Sequence, residues 1–159
     1  MVAAANRQIE PPNTSPIVAV ARLPFTENNV PGIIGLAAGI QYLIDNECVG
    51  SDQLMQLSGQ LIDGLTAFPD VSVYSQANRY GIVSFNLKGL DPRELATTLD
   101  SMAGIQVRAG LHCAPLMHRS IGTLEFGGTV RASFGHFSKS SEVATLLECI
   151  ETLIANPMA

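Results

Sequence analysis

Apolar residues crowd first into Ile33-Ile34-Gly35-Leu36-Ala37-Ala38-Gly39-Ile40-Gln41-Tyr42-Leu43-Ile44, where nearly every face of a helix would be hydrophobic. Such a helix wants burial on all sides, and its glycines permit close approach of another backbone. A small domain rarely surrounds one helix, so the exposed side is expected to meet another subunit or a missing domain. From Ser51, a suitable helix cap, the pattern changes: Leu54, Leu57, Leu61 and Leu65 fall on one face at helical spacing. Val71–Tyr74 and Gly81–Leu87 alternate as half-buried strands do, and the Gln76–Arg79 turn between them predicts an antiparallel pair. Asp91-Pro92-Arg93-Glu94 predicts a helix start: Asp91 can accept backbone N–H bonds, Pro92 suits the first turn and Glu94 can reach back. That helix is expected to run to about Met102. Ile105–Arg108 and Thr129–Phe134 read as further strands, Ile17–Ala21 as a short one, and Ser138–Ala155 as a closing amphipathic helix. The whole predicts an α/β fold, an α+β sandwich with a small, mainly antiparallel sheet packed against helices.

Length and composition bound this picture. A chain of 159 residues fits one domain. The expected division is a Pro-rich lead-in over 1–24, the apolar helix segment over 25–48 and a small domain over 49–159. Only 14% of residues are charged while 47% are apolar, against about 25% charged in an ordinary soluble domain, so part of the surface is expected to be covered by a partner. A formal charge of −5 with no Lys/Arg cluster excludes nucleic acid and anionic membrane as ligands. Cys48, Cys113 and Cys149 leave one thiol over in any disulfide scheme and lack metal-ligand spacing. With no export signal and no long apolar span, a reducing cytoplasm is the expected location.

Candidate chemistry centres on Cys113. A reactive thiol needs exposure, a pliable approach and nearby positive charge or donors. Gly110 precedes it, Pro115 is expected to stop any continuing helix, and Arg108, His112, His118 and Arg119 bring positive charge into an acidic chain. The competing reading makes Cys113 a small buried hydrophobe, as Cys48 and Cys149 are expected to be. Arg131 sits among Val130, Ala132 and Phe134 and requires an anionic partner: a local Asp or Glu, or a substrate carboxylate gripped by two parallel hydrogen bonds. The histidines 112, 118 and 136 have no metal-binding spacing, and no metal is expected.

Arg108-Ala109-Gly110-Leu111-His112-Cys113-Ala114, followed by Val130-Arg131-Ala132-Ser133-Phe134, resembles the C-terminal signature of cysteine desulfurases. Asn29-Val30-Pro31-Gly32-Ile33-Ile34-Gly35-Leu36 resembles the approach to their interdomain helix, and Gly81–Asn86 matches in type and order, so the resemblance covers about residues 25–155. It implies a pyridoxal-phosphate enzyme of fold type I in the class V aminotransferase group. Such enzymes are usually homodimers that take sulfur from L-cysteine, or selenium from selenocysteine, leave alanine, and can pass sulfur to an acceptor protein. It implies that Cys113 becomes the persulfide, that Arg131 holds the substrate carboxylate, and that Arg108 and His112 neighbour that site. Pyridoxal chemistry also needs a Schiff-base lysine and a carboxylate for the ring nitrogen. The two lysines, Lys88 and Lys139, match neither the family's cofactor lysine nor its surroundings, and Thr26-Glu27 replaces its phosphate-binding Gly-Thr. The expectation is therefore the C-terminal domain of such an enzyme, binding no cofactor and inactive alone. The alternative is a stand-alone persulfide carrier or interaction module.

Overall fold

Asn29 accepts a hydrogen bond from the Gly32 amide and starts helix α1 (Val30–Asp45), with Pro31 in its first turn. A computed structural model of the chain describes residues 29–46 and 51–156. The lead-in, the strand expected at Ile17–Ala21, Thr26-Glu27 and Cys48 lie outside the described residues. The chain divides into two units, Met1–Glu47 and Cys48–Ala159. In the first, α1 follows the apolar run, and none of its residues is buried.

The second unit begins with α2 (Asp52–Thr66), capped by the Ser51 side chain on the Leu54 amide. It continues through β1 (Val71–Val73), β2 (Ile82–Leu87) and α3 (Pro92–Ala103). Asp91 caps α3 by accepting from the Arg93 amide, and Gly104 ends it in the left-handed conformation that glycine adopts without penalty. Then follow β3 (Arg108–Gly110), α4 (Pro115–Ser120), β4 (Thr129–Ser133) and α5 (Ser140–Ala155). The four strands form one sheet in the order β1-β2-β4-β3, antiparallel at every pairing.

Alternation along the strands decides which face is buried. Val83, Phe85 and Leu87 of β2 and Val130 and Ala132 of β4 point into one core. They meet Leu57, Leu61 and Leu65 of α2, Leu95 and Leu99 of α3, and Val143, Leu146, Cys149, Ile150 and Leu153 of α5. Helices α2 and α3 contact the strands, and α5 packs against both helices. The even-numbered positions of β2 and the odd-numbered positions of β4 face the opposite way, which leaves a second sheet face free for polar side chains.

Two local expectations need correction. The strand expected at Ile105–Arg108 pairs only from Arg108 onward. Ile105–Val107 and Ala132–Phe134 instead line a cavity of about 340 Å³ together with Glu142, Thr145 and Leu146 of α5. Pro115, expected to stop a helix, instead opens one. The first helical position has no intrahelical use for its N–H, and the fixed proline φ suits it.

Candidate functional site

Cross-strand register builds the site. Ser84 of β2, Arg131 of β4 and Arg108 of β3 are successive Cα partners across three strands. Their side chains therefore emerge side by side on the sheet face away from the core. Like charges placed directly opposite each other destabilise a sheet unless an anion offsets them. Among the described residues no carboxylate pairs with Arg108 or Arg131. The local Asp or Glu considered for Arg131 is thus not there, and its half-buried guanidinium keeps a buried Nε with no hydrogen-bond partner.

Cys113 stands beside this pair. After Gly110, at φ 110°, the chain makes a tight turn in which His112 (φ 50°) and Cys113 (φ 60°) are both left-handed, closed by the Ala114 amide donating to the Leu111 carbonyl at 2.8 Å. Both central residues have positive φ, the pattern of a type I′ turn, which normally takes Asn and Gly. Two consecutive L residues held there store strain of about 1–3 kcal/mol each, a feature that concentrates at functional sites. The Cys113 thiol is exposed, and Arg108 Nη2 lies 3.9 Å from its Sγ. Cys149 is the opposite case: it is buried in α5, and burial, with Glu148 nearby, pushes its thiol pKa up.

His112 ties the turn to β4. Its Nε2 lies 3.0 Å from the Thr129 carbonyl and 3.3 Å from the Thr129 hydroxyl. A carbonyl only accepts, so Nε2 carries the proton, and Nδ1, buried and without a partner, is left as the acceptor of the neutral ring. Burial lowers the His112 pKa below its ordinary 6.5; the Thr129 hydrogen bond opposes this, and Arg131, His118 and Arg108 add to the lowering.

Three of the four residues singled out from sequence, Cys113, Arg108 and Arg131, are joined by contact and register, and His112 anchors their loop. His118 does not belong to an exposed cationic cluster: it is buried, with Nδ1 2.7 Å from the Thr123 hydroxyl and its ring 5.7 Å from that of His112. Sequence reasoning missed Thr129, Ser84 and Thr123. Ser84 had a legible signal, since it alternates with buried Val83 and Phe85, but its partner Arg131 depended on register. Among the described residues no group of three or more His, Cys, Asp or Glu is placed to hold a metal.

A pyridoxal site needs a lysine amine within reach of the bound cofactor. Lys88 is exposed in the turn after β2, its amide bonded to the Asp70 carbonyl. Four positions from Ser84, it lies about 13 Å along the strand direction from the arginine row. Lys139 is exposed ahead of α5, on an element that packs against the helices. Lys88 follows Ser84 and Asn86 in the strand alternation and lines a pocket with Asn86 and Phe126, away along the sheet from the arginine row, and Lys139 leads into α5.

With this geometry in view, a model of the aminotransferase class-V family matches residues 23–146. A probable cysteine desulfurase from Methanothermobacter thermautotrophicus is 36% identical over 132 residues, covering 79% of this chain and 32% of that protein. Another, from Pyrococcus abyssi, is 39% identical over 133 residues, covering 79% and 31%. The crystal structure of the cysteine desulfurase CsdA (S-sulfonic acid) from Escherichia coli superimposes with a TM-score of 0.71 at 27% identity, covering 84% of this chain and 32% of that one. The apo structure of a cysteine desulfurase from Thermococcus onnurineus NA1 gives 0.69 at 37% identity, covering 80% and 32%. The chain spans about a third of the length of the relatives it matches.

Proposed function

The chain belongs to the class-V aminotransferase family, and on that premise we propose that it supplies the sulfur-accepting part of a cysteine desulfurase. The observation that carries this reading is the row of Arg131 and Arg108 in register, unpaired with any described carboxylate, with the Cys113 sulfur 3.9 Å from Arg108. Arg131 takes the carboxylate of L-cysteine as a planar fork does, by two parallel N–H bonds. Cys113, on its exposed turn, attacks the substrate sulfur as a thiolate. The S–S bond forms as the substrate C–S bond breaks, and the departing electron pair stays on carbon, which gains a proton to become alanine. Cys113 is left as a persulfide. The family depends on pyridoxal phosphate, which supplies the electron sink for that cleavage. Its lysine would come from outside the described residues.

Purified chain incubated with pyridoxal phosphate and L-cysteine should show neither an internal-aldimine absorbance band nor sulfide release. The same chain treated with a persulfide donor should gain one sulfur on Cys113, read by mass spectrometry, and lose that gain in Cys113→Ser. Sulfide release by the chain with pyridoxal phosphate alone sinks the division of labour; no sulfur on Cys113 sinks the acceptor role.

The position of both lysines away from the arginine row favours a second reading, a persulfide carrier loaded by a separate donor enzyme. Addition of a lysine-bearing cofactor domain from a relative separates the two. Restored alanine formation from L-cysteine supports the desulfurase part; sulfur loading without alanine formation supports the carrier.

A further inference from the structure

His112 holds a position that neither the thiol nor the guanidinium pair explains. It shares the left-handed turn with Cys113, and its Nε2 is the one side-chain atom of that turn bonded to β4, across 17 positions of chain. Histidine is one of the non-glycine residues enriched at positive φ, yet φ 50° still costs an L side chain about 1–2 kcal/mol. Something about the imidazole must therefore offset the strain. The Thr129 carbonyl fixes the tautomer with Nε2 protonated, and the other edge of the ring, Nδ1, is buried without a donor.

We propose that His112 is the positioning residue of the Cys113 turn and that it works as the neutral Nε2–H tautomer: Nε2 pins the turn to β4, and an unprotonated Nδ1 lets the ring sit beside two guanidiniums without repulsion. This rests on the reading of Cys113 as the sulfur acceptor. The charged and titratable groups acting on the ring are Arg131 from β4, His118 from α4 and Arg108 from β3, with no carboxylate contributing. All three oppose a proton on Nδ1, as does burial. The Thr129 bond favours the charged ring, but burial and the repulsion of Arg131, His118 and Arg108 outweigh it, so acid works against the packing of the ring on β4 and loosens a turn whose two left-handed residues relax once the latch is lost. Cys113 then leaves Arg108, and its preferential reactivity goes with it.

The test uses the full chain and iodoacetamide, with the alkylation rate of Cys113 read by mass spectrometry as a ratio to that of glutathione in the same tube. In the wild type the ratio is expected to fall as pH is lowered below 6.5. His112→Ala should lower it roughly fivefold above that pH, the effect of losing one hydrogen bond, and should abolish the inflection. His112→Asn, which tolerates positive φ and retains an amide donor, should restore most of the ratio without restoring the inflection. A ratio that is unchanged or raised in His112→Ala overturns the proposal, as does a wild-type profile without the inflection. If His112→Ala loses its helical circular dichroism, the Asn variant and the wild-type profile decide alone. The two readings fail separately: a wild-type Cys113 that takes no persulfide removes the acceptor role, whereas a persulfide-forming Cys113 indifferent to His112 removes only the latch.

Discussion

A left-handed φ of 60° at Cys113 makes a stability prediction that runs against the usual direction of mutation. An L side chain at such a φ costs about 1–2 kcal/mol, and glycine carries no such penalty. Cys113→Gly should therefore abolish sulfur acceptance yet leave the fold as stable as the parent or about 1 kcal/mol more stable, because the relief of strain outweighs the extra freedom of the unfolded glycine. Cys113→Ser keeps the strain and should give no gain. Thermal unfolding of the three proteins decides, and a glycine variant less stable than the serine variant would show that the turn is not strained. His112 gives a second prediction at this scale. Its pKa is lower folded than unfolded, so just below 6.5 the unfolded chain binds more protons than the native one. Stability is then full above 6.5 and declines as pH falls through the depressed value. In denaturant titrations across that window, His112→Asn should flatten the slope; an identical slope would assign it to another group.

At the scale of elements, the approach of β3 to β4 depends on Gly128. Gly128 has a φ of 105°, and a Cβ there would strike the Gly110 carbonyl, a backbone group that cannot rotate away. Gly128→Ala should cost about 3 kcal/mol or more, splay the strands and pull Thr129 from His112. Gly122→Ala, at φ 72° with open space around the added carbon, isolates the backbone effect and should cost only about 1 kcal/mol. Urea unfolding midpoints compare them, and equal losses would deny the steric contact. The same elements show what a sequence can display. Helices α2 and α3 were legible because their caps, Ser51 and Asp91, and their leucine spacing are local signals. Cys113 was legible as a candidate from its Gly- and Pro-flanked, cation-rich setting. The start of β3 was not, because apolar Ile105 and Val107 look strand-like while pairing is set by the fit of Arg108 against Arg131. Nor was the His112–Thr129 bond, whose partners lie far apart in sequence, or the left-handed turn, since histidine is only modestly suited to positive φ and cysteine not at all.

At the scale of the molecule, both units present surface that ordinary monomers keep covered. The sheet of Cys48–Ala159 has helices over one face and the Ser84–Arg131–Arg108 row on the other, which suits a two-layer fold whose second face receives a partner or substrate. In Met1–Glu47, α1 has 16 residues, none buried, with Val30, Ile34, Leu36, Tyr42, Leu43 and Ile44 exposed. A helix of this length is marginal in water without tertiary packing. Each large apolar side chain left exposed forgoes about 1.5–3 kcal/mol of burial. Association through α1 is therefore expected, with a second copy when no other partner is present. Light scattering should show the apparent mass rising with concentration. Leu36→Glu combined with Ile40→Glu should return it to the monomer value while the thermal transition of the Cys48–Ala159 unit, whose core is built from α2, α3, α5 and the sheet, is unchanged. A wild-type chain that stays monomeric at high concentration with α1 still helical would show that the apolar run is stable uncovered. A double variant that also unfolds the core would show that α1 packs on it.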